Sequence, residues 1–162
     1  MPNSGAALLS TAHVNLVHGG TTHKIRALID HGSQINLITD KLANKLQLYR
    51  KPSVMLINGV GKSKSNSARG IVSVKISSCV DSTWESSLDC YVLNAITEDK
   101  PSQEFNADAL SQFKNLKLAD ETFHKPGPVD MLLGIHVFLD ILGSHHLKGN
   151  PTALETRLGY II

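Results

Sequence analysis

An apolar run that delivers an acid into a tight turn is the first feature here with chemical potential: Ala27-Leu28-Ile29 leads into Asp30-His31-Gly32-Ser33. A second apolar run, Asp130-Met131-Leu132-Leu133-Gly134, is followed by helix-forming residues. Either pattern alone has a simple structural use, since Asp bonds its own backbone in turns and Gly supplies positive φ. Read as chemistry, an exposed carboxylate at a strand end can work as one member of an acid pair. Two carboxyls about 3 Å apart share one proton, so one acts as base on a water while the other polarises a carbonyl. No other aspartate in the chain has Gly two positions on. One chain therefore supplies only one such carboxylate.

The elements that must position Asp30 are legible on either side of it. Ser10 to Val17 alternates, with Ala12, Val14 and Leu16 on one face, and a second strand runs through Ile25, Ala27 and Ile29. Gly19-Gly20 between them predicts a hairpin tip. Beyond the triplet, Ser33 to Ile38 is short and mixed, and Thr39 or Asp40 caps a brief helix with Leu42, Ala43 and Leu46 on one face. Val54 to Ile57 reads as a strand leading into Asn58-Gly59-Val60-Gly61, then a Ser/Lys-rich turn. Gly70 to Ser77 alternates, and Ser87 to Leu93 is a further strand. From Asn94 to Pro128 the composition becomes polar and breaking, which predicts an insertion packed on the domain, with a short amphipathic helix on Leu110, Phe113 and Leu116. Val129 to Leu133 is an apolar strand. Ile135, Phe138, Leu139 and Leu142 are spaced as a buried helix face stopped by Gly143, and Leu158, Tyr160 and Ile162 alternate as a terminal strand.

This order of elements, with Arg26-Ala27-Leu28-Ile29-Asp30, Gly32-Ser33-Gln34, Leu116-Lys117-Leu118-Ala119-Asp120, Pro126-Gly127-Pro128-Val129-Asp130-Met131-Leu132-Leu133-Gly134 and Thr156-Arg157-Leu158-Gly159-Tyr160-Ile161-Ile162, resembles the retropepsins. These are the aspartic proteases of retroviruses and LTR retrotransposons, and in detail the chain resembles the BEL/Pao branch from Leu9 to Ile162. The resemblance implies an all-β fold with short helices: a closed acid-protease barrel forming one protomer of a two-fold dimer, a single domain over residues 1–162 with an insertion at about 94–128. It implies an aspartic endopeptidase that processes a retrotransposon polyprotein, needs no cofactor or metal, and pairs Asp30 from two subunits. His31 and Gly32 would support the catalytic loop. Ser33 and Gln34 would bond the substrate main chain, as in added-strand recognition. Gly59, Val60 and Gly61 resemble the tip of a flap over bound peptide, and Leu132 would line a side-chain subsite. The terminal strand would interleave with its dimer mate, and the setting would be cytoplasmic or within virus-like particles.

Two positions depart from the family pattern. The middle residue of the catalytic triplet is normally Thr or Ser, whose hydroxyl bonds across the dimer axis, and here it is His31. Imidazole is larger and does not reproduce that small-hydroxyl network, and when protonated it opposes the shared-proton state. A second reading thus stays open: a catalytically impaired retropepsin-fold dimer acting as a peptide-binding or structural module. Ile135 and Gln34 stand where many retroviral members pair Arg with an acid. Both partners are absent together, so no lone buried charge results.

Composition excludes several other classes. The 162 residues carry 16 Lys+Arg, 14 Asp+Glu and a net charge of +2, with 41% hydrophobic and 5% aromatic residues. A core can be buried, but a stacking platform for nucleic acid has little to be built from. No run approaches the roughly 20 apolar residues of a membrane helix, and no charged-then-apolar leader opens the sequence, so neither membrane nor secretory partners are expected. Cys79 and Cys90 have neither zinc nor disulfide-framework spacing, and the eight histidines lack ligand-like spacing. Gly61-Lys62-Ser63 lacks the Gly at position 56 that a phosphate loop needs, and no Gly-x-Ser-x-Gly elbow is present.

Overall fold

The computed structural model describes residues 10–53, 56–58, 65–104, 111–149 and 151–162. Strands β1 (Thr11–His18) and β2 (Thr21–Ile29) pair antiparallel with Thr11 opposite Leu28 and His18 opposite Thr21. Gly19 and Gly20 both take positive φ, 58° and 77°, the two-residue turn whose twist matches the flanking strands. Strands β3 (Asn36–Thr39), β4 (Leu56–Asn58), β5 (Ser65–Ser67), β6 (Ile71–Ser78), β7 (Glu85–Leu93) and β8 (Met131–Leu133) follow. Six of these eight close into a barrel in the order β1-β2-β8-β3-β7-β6, sealed where β1 pairs with β6. The expected all-β barrel with short helices is what the chain forms. Val72, Val74 and Ile76 point inward from β6, as their alternation predicts, and join Ala12, Val14 and Leu16 in the main core.

The placement of β8 decides the architecture around Asp30. It runs parallel to β2, with Leu28 opposite Leu132, and antiparallel to β3, with Leu37 opposite Leu132. A strand in the middle of the sheet is covered on both faces, which is why Met131, Leu132 and Leu133 are all buried and the run is continuously apolar. Met131 and Leu133 pack in the main core, whereas Leu132 joins Leu28, Leu37 and Leu93 in a second cluster.

Helix α1 (Asp40–Lys45) starts at Thr39, whose side chain accepts from the Leu42 amide, as its capping residue type predicts. Helix α2 (Ile135–Ile141) corrects the expected face: Val137 and Ile141 are buried, and Leu139 and Leu142 are exposed. Its seven residues end before Leu142, where the chain turns extended into β9 (Leu142–Leu147), paired with β10 (Ala153–Thr156). Gly143 therefore lies inside a strand. A Cβ there would sit 2.9 Å from the Glu155 carbonyl, so Gly is required by the close approach of β10.

The expected terminal strand is also redistributed. The chain turns at 157–159, Leu158 and Ile161 enter the core, and Tyr160 and Ile162 are half-buried. Backbone groups there bond within the same chain: Tyr160 with Lys117 and Ala119, and Ile161 with Leu154. Within 94–128, Ala119 and Asp120 bond to His13 and Arg26 of the barrel, and the expected amphipathic helix falls partly outside the described residues, with one tight turn at 111–113. Phe113 is buried, Leu116 is half-buried, and Leu110 lies outside the described residues. Strand β5 falls in the stretch read as a Ser/Lys-rich turn and pairs with β4, Asn58 opposite Ser65. Gly59, Val60 and Gly61 lie outside the described residues. Among the described residues no helix is long and apolar enough to cross a membrane.

Candidate active site

Asp30 sits where β2 ends, and its amide donates to the Leu133 carbonyl at 2.9 Å, extending the parallel β2–β8 pairing by one residue. Its Oδ1 accepts from the Gly32 amide at 2.9 Å and its carbonyl from the Ser33 amide at 3.1 Å, so Asp30 is both the origin and the brace of its own turn. Gly32 does not take positive φ, and a Cβ there would stand 3.2 Å from Asp30 Oδ1, close enough that the carboxylate would have to give by a few tenths of an ångström.

Gly134, at the end of β8, holds the loop from beneath. The Ser33 carbonyl accepts from the Ile135 amide at 2.7 Å, and Gly134 donates to Asn36 Oδ1 at 2.8 Å. A Cβ on Gly134 would lie 2.6 Å from the Ser33 oxygen and 2.7 Å from that of Ile35, so no larger residue fits without moving the loop. The Ser33 hydroxyl is engaged with the Ile35 carbonyl at 2.8 Å. The two sequence features thus meet physically, with β8 passing between the strands that enter and leave the Asp30 turn.

Asp130 is at the other end of the same strand. Its amide donates to Arg26, its carbonyl accepts from the Thr39 amide, and its Oδ1 accepts from the Thr39 hydroxyl at 3.0 Å. Three strand residues, a span of about 10 Å, separate it from the Asp30 loop, so it cannot complete an acid pair within the chain. Asp30 is half-buried, His31, Gly32 and Gln34 are exposed, and Ser33 is half-buried. The His31 ring lies 5.7 Å from that of Phe138, tilted at 41°. Leu132 is 3% exposed and packs in the second cluster. Asn36, which lay in the stretch read as mixed, is the residue that fixes the loop to Gly134. A lone amide inside Ile35-Asn36-Leu37-Ile38 is the signal that marks it.

A buried polar network ties the insertion to the barrel near the Asp130 end. Asp120 Oδ2 accepts from Arg26 Nε and the Thr11 hydroxyl, both at 2.6 Å, while Oδ1 accepts from the Thr122 amide and hydroxyl. The Arg26 guanidinium also donates to the carbonyls of Lys100, Thr122 and Lys125. Burial pushes the Asp120 carboxyl up, but the hydrogen bonds from Thr11, Arg26 and Thr122 outweigh it and hold it below 3.8. His13 lies 3.5 Å from Asp120 and is held below 6.5 mainly by burial, with Lys24 and Arg26 adding to the effect against the attraction of Asp120 and Glu121. A pocket of about 410 Å³ opens beside this network, lined by His13, Lys24, Arg26, Lys125 and Asp130 among others. It contains none of the residues of the Asp30 loop. Among the described residues no group of three or more His, Cys, Asp or Glu is placed to hold a metal ion.

No protein-family model matches the chain, and no curated protein matches it. The functional reading stands on the chain's own residues.

Proposed function

We propose that the chain is an aspartic endopeptidase of the retropepsin type, acting as a homodimer in which each subunit supplies Asp30. One observation carries this reading. Asp30 is presented on a loop locked by Gly134 and Asn36 where β8 crosses between β2 and β3, and the only other acid on that strand, Asp130, lies at its far end. A rigid, half-buried single carboxylate of this kind becomes an acid pair when a two-fold axis brings a second copy to it. One Asp30, ionised, takes a proton from water; the other, protonated, donates a hydrogen bond to the scissile carbonyl; the tetrahedral adduct then collapses with proton transfer to the leaving amine. On this reading Gly32, Ser33 and Gln34 bond the peptide main chain. The substrate on this reading is the polyprotein of a BEL/Pao-type LTR retrotransposon, cut in the cytoplasm or inside virus-like particles.

The exposed His31, its ring tilted against that of Phe138 where a small hydroxyl is the family pattern, favours one alternative: a dimer that keeps the fold and binds peptide with impaired catalysis. Incubating the full chain at mildly acidic pH with a peptide library or its polyprotein, beside Asp30→Asn, separates the two. Cleavage by the wild type alone supports the enzyme. Cleavage that appears only in His31→Ser or His31→Thr supports the impaired module, and no cleavage in any of them overturns the protease reading.

A further inference from the structure

Helix α1 and the stretch that follows it carry Lys41, Lys45, Arg50 and Lys51, and the fold brings Arg69 to them from the residues before β6. Gly70 makes that approach possible. Its φ is 112°, and a Cβ there would stand 3.0 Å from the Lys51 carbonyl oxygen and 3.1 Å from Arg50 Cβ, so only glycine lets the two backbones lie this close. Lys51 and Ile71 then exchange both backbone hydrogen bonds, at 2.8 and 2.9 Å. The Arg50 guanidinium donates to Asp40 Oδ1 at 2.8 Å, Asn44 Oδ1 at 2.7 Å and the Arg69 carbonyl at 3.2 Å, which fastens residues 50 and 69 to one face of α1. Lys41 and Lys45, four residues apart, are neighbours on an adjoining exposed strip of the same helix.

This gathering concentrates charge. Five of the 16 Lys+Arg and one of the 14 Asp+Glu belong to it, a net +4 that leaves −2 for the rest of the chain. Among the described residues Asp40 is the one acid that pairs with any of the five, and its single carboxylate is shared by Arg50 and Arg69. Lys41, Lys45, Lys51 and Arg69 are all exposed. So is Tyr49, next to Arg50, which at 79% is the most exposed large apolar side chain described. A lone exposed ring is ordinary on a protein surface. Set among cations, it combines the two parts that hold a single strand: a positive track for phosphates and a flat face for a base.

We infer that the α1 surface binds single-stranded nucleic acid, with Lys41, Lys45, Lys51 and Arg69 on the phosphates and Tyr49 stacked on a base. Composition points away from such a partner because it averages +4 against −2, and a 5% aromatic content does not say where one ring stands. Tyr49 and the arginines favour nucleic acid over an acidic polypeptide, since carboxylates offer charge but no π-face to stack on. The surface shares no residue with the Asp30 loop, so the inference stands apart from the protease reading.

Fluorescence anisotropy of the full chain with a labelled oligouridylate of about 12 nucleotides, a length that single-strand sites commonly span, tests it. Saturable binding is expected at low salt, with log K falling against log salt at a slope of about −3 for four engaged cations. Changing Lys41, Lys45 and Lys51 together to Gln should flatten that slope by about 2. Changing Lys24, Lys117 and Lys125 together to Gln removes the same charge elsewhere and should leave the slope as it was. All six lysines are exposed, so circular dichroism should match wild type in both variants. Tyr49→Ala should weaken the oligonucleotide by about tenfold and leave any binding of polyglutamate unchanged. Polyglutamate that binds as tightly as the oligonucleotide, with Tyr49→Ala affecting neither, assigns the surface to an acidic polypeptide and overturns the nucleic-acid inference. Equal losses in the two triple variants, or no saturable binding by wild type at low salt, overturn the surface itself.

Discussion

At the residue scale the site turns on two neighbours of opposite standing. Asp30 is braced by the Gly32 amide and backed by Gly134, so Asp30→Asn keeps the turn and removes the charge. It should reduce cleavage by about 10³-fold, within the range a positioned acid-base group contributes, with an unchanged melting temperature as the check that only chemistry was lost. His31 is exposed and touches Phe138, and nothing in its surroundings requires an imidazole. His31→Thr should therefore fold and raise kcat by about tenfold or more, the equivalent of one added hydrogen bond in the transition state. A kcat that falls on this change would instead give the imidazole a working role. Asp30, Gly32 and the Gly134 partner run were readable because their residue types are dictated by local turn and packing demands. Asn36 and the Arg26–Asp120 pair were not read as positioning residues, since their partners lie 94 or more positions away and nothing local announces a long-range contact.

At the element scale, the loop is backed by Gly134 and the insertion is tied to the barrel through Asp120. Gly134→Ala would drive a Cβ into two backbone carbonyls of the Asp30 loop, and backbone cannot turn aside as a side chain does. It should lower stability by about 1–3 kcal/mol in urea unfolding and depress cleavage more than an equally destabilising change elsewhere. Asp120→Ala leaves Arg26 buried without its carboxylate, which should cost about 3 kcal/mol or more and loosen the 94–128 segment to proteolysis. The same cluster sets a pH dependence. Asp120 is depressed below 3.8, so its contribution is complete above that value and is lost as pH falls through its folded value. His13 is held neutral below 6.5, so the unfolded chain takes up the proton first and stability falls as pH drops below 6.5. Both act in one direction. Thermal melting should decline as pH falls below about 6.5, and His13→Gln should flatten that decline. The hairpin, β6, β7 and α1 were legible because each is built on local period, turn or cap. Strand β3 was missed because four residues buried by neighbours on both sides carry no period of their own. The α2 face shifted because Ile141 and Val137, rather than Leu139 and Leu142, meet the barrel, which the 3.6-residue spacing alone does not distinguish in seven residues.

At the scale of the whole molecule, the proposed protease reading makes a chain with one Asp-x-Gly half of an active site, so on that reading activity depends on assembly. Subunit poisoning separates this from any mechanism complete in one chain. Wild type mixed with an equal amount of Asp30→Asn, after exchange, leaves about one quarter of the dimers with two native carboxylates. Activity per total chain should then fall to about one quarter of the undiluted value, whereas independent monomers would retain about half. The outcome depends on exchange, so the mixture should be brought to equilibrium at a concentration near the dimer dissociation constant and assayed at a higher one. Locking exchange by mixing two preformed dimers at high concentration should return the value toward one half, which shows that dimers and not a soluble inhibitor carry the effect.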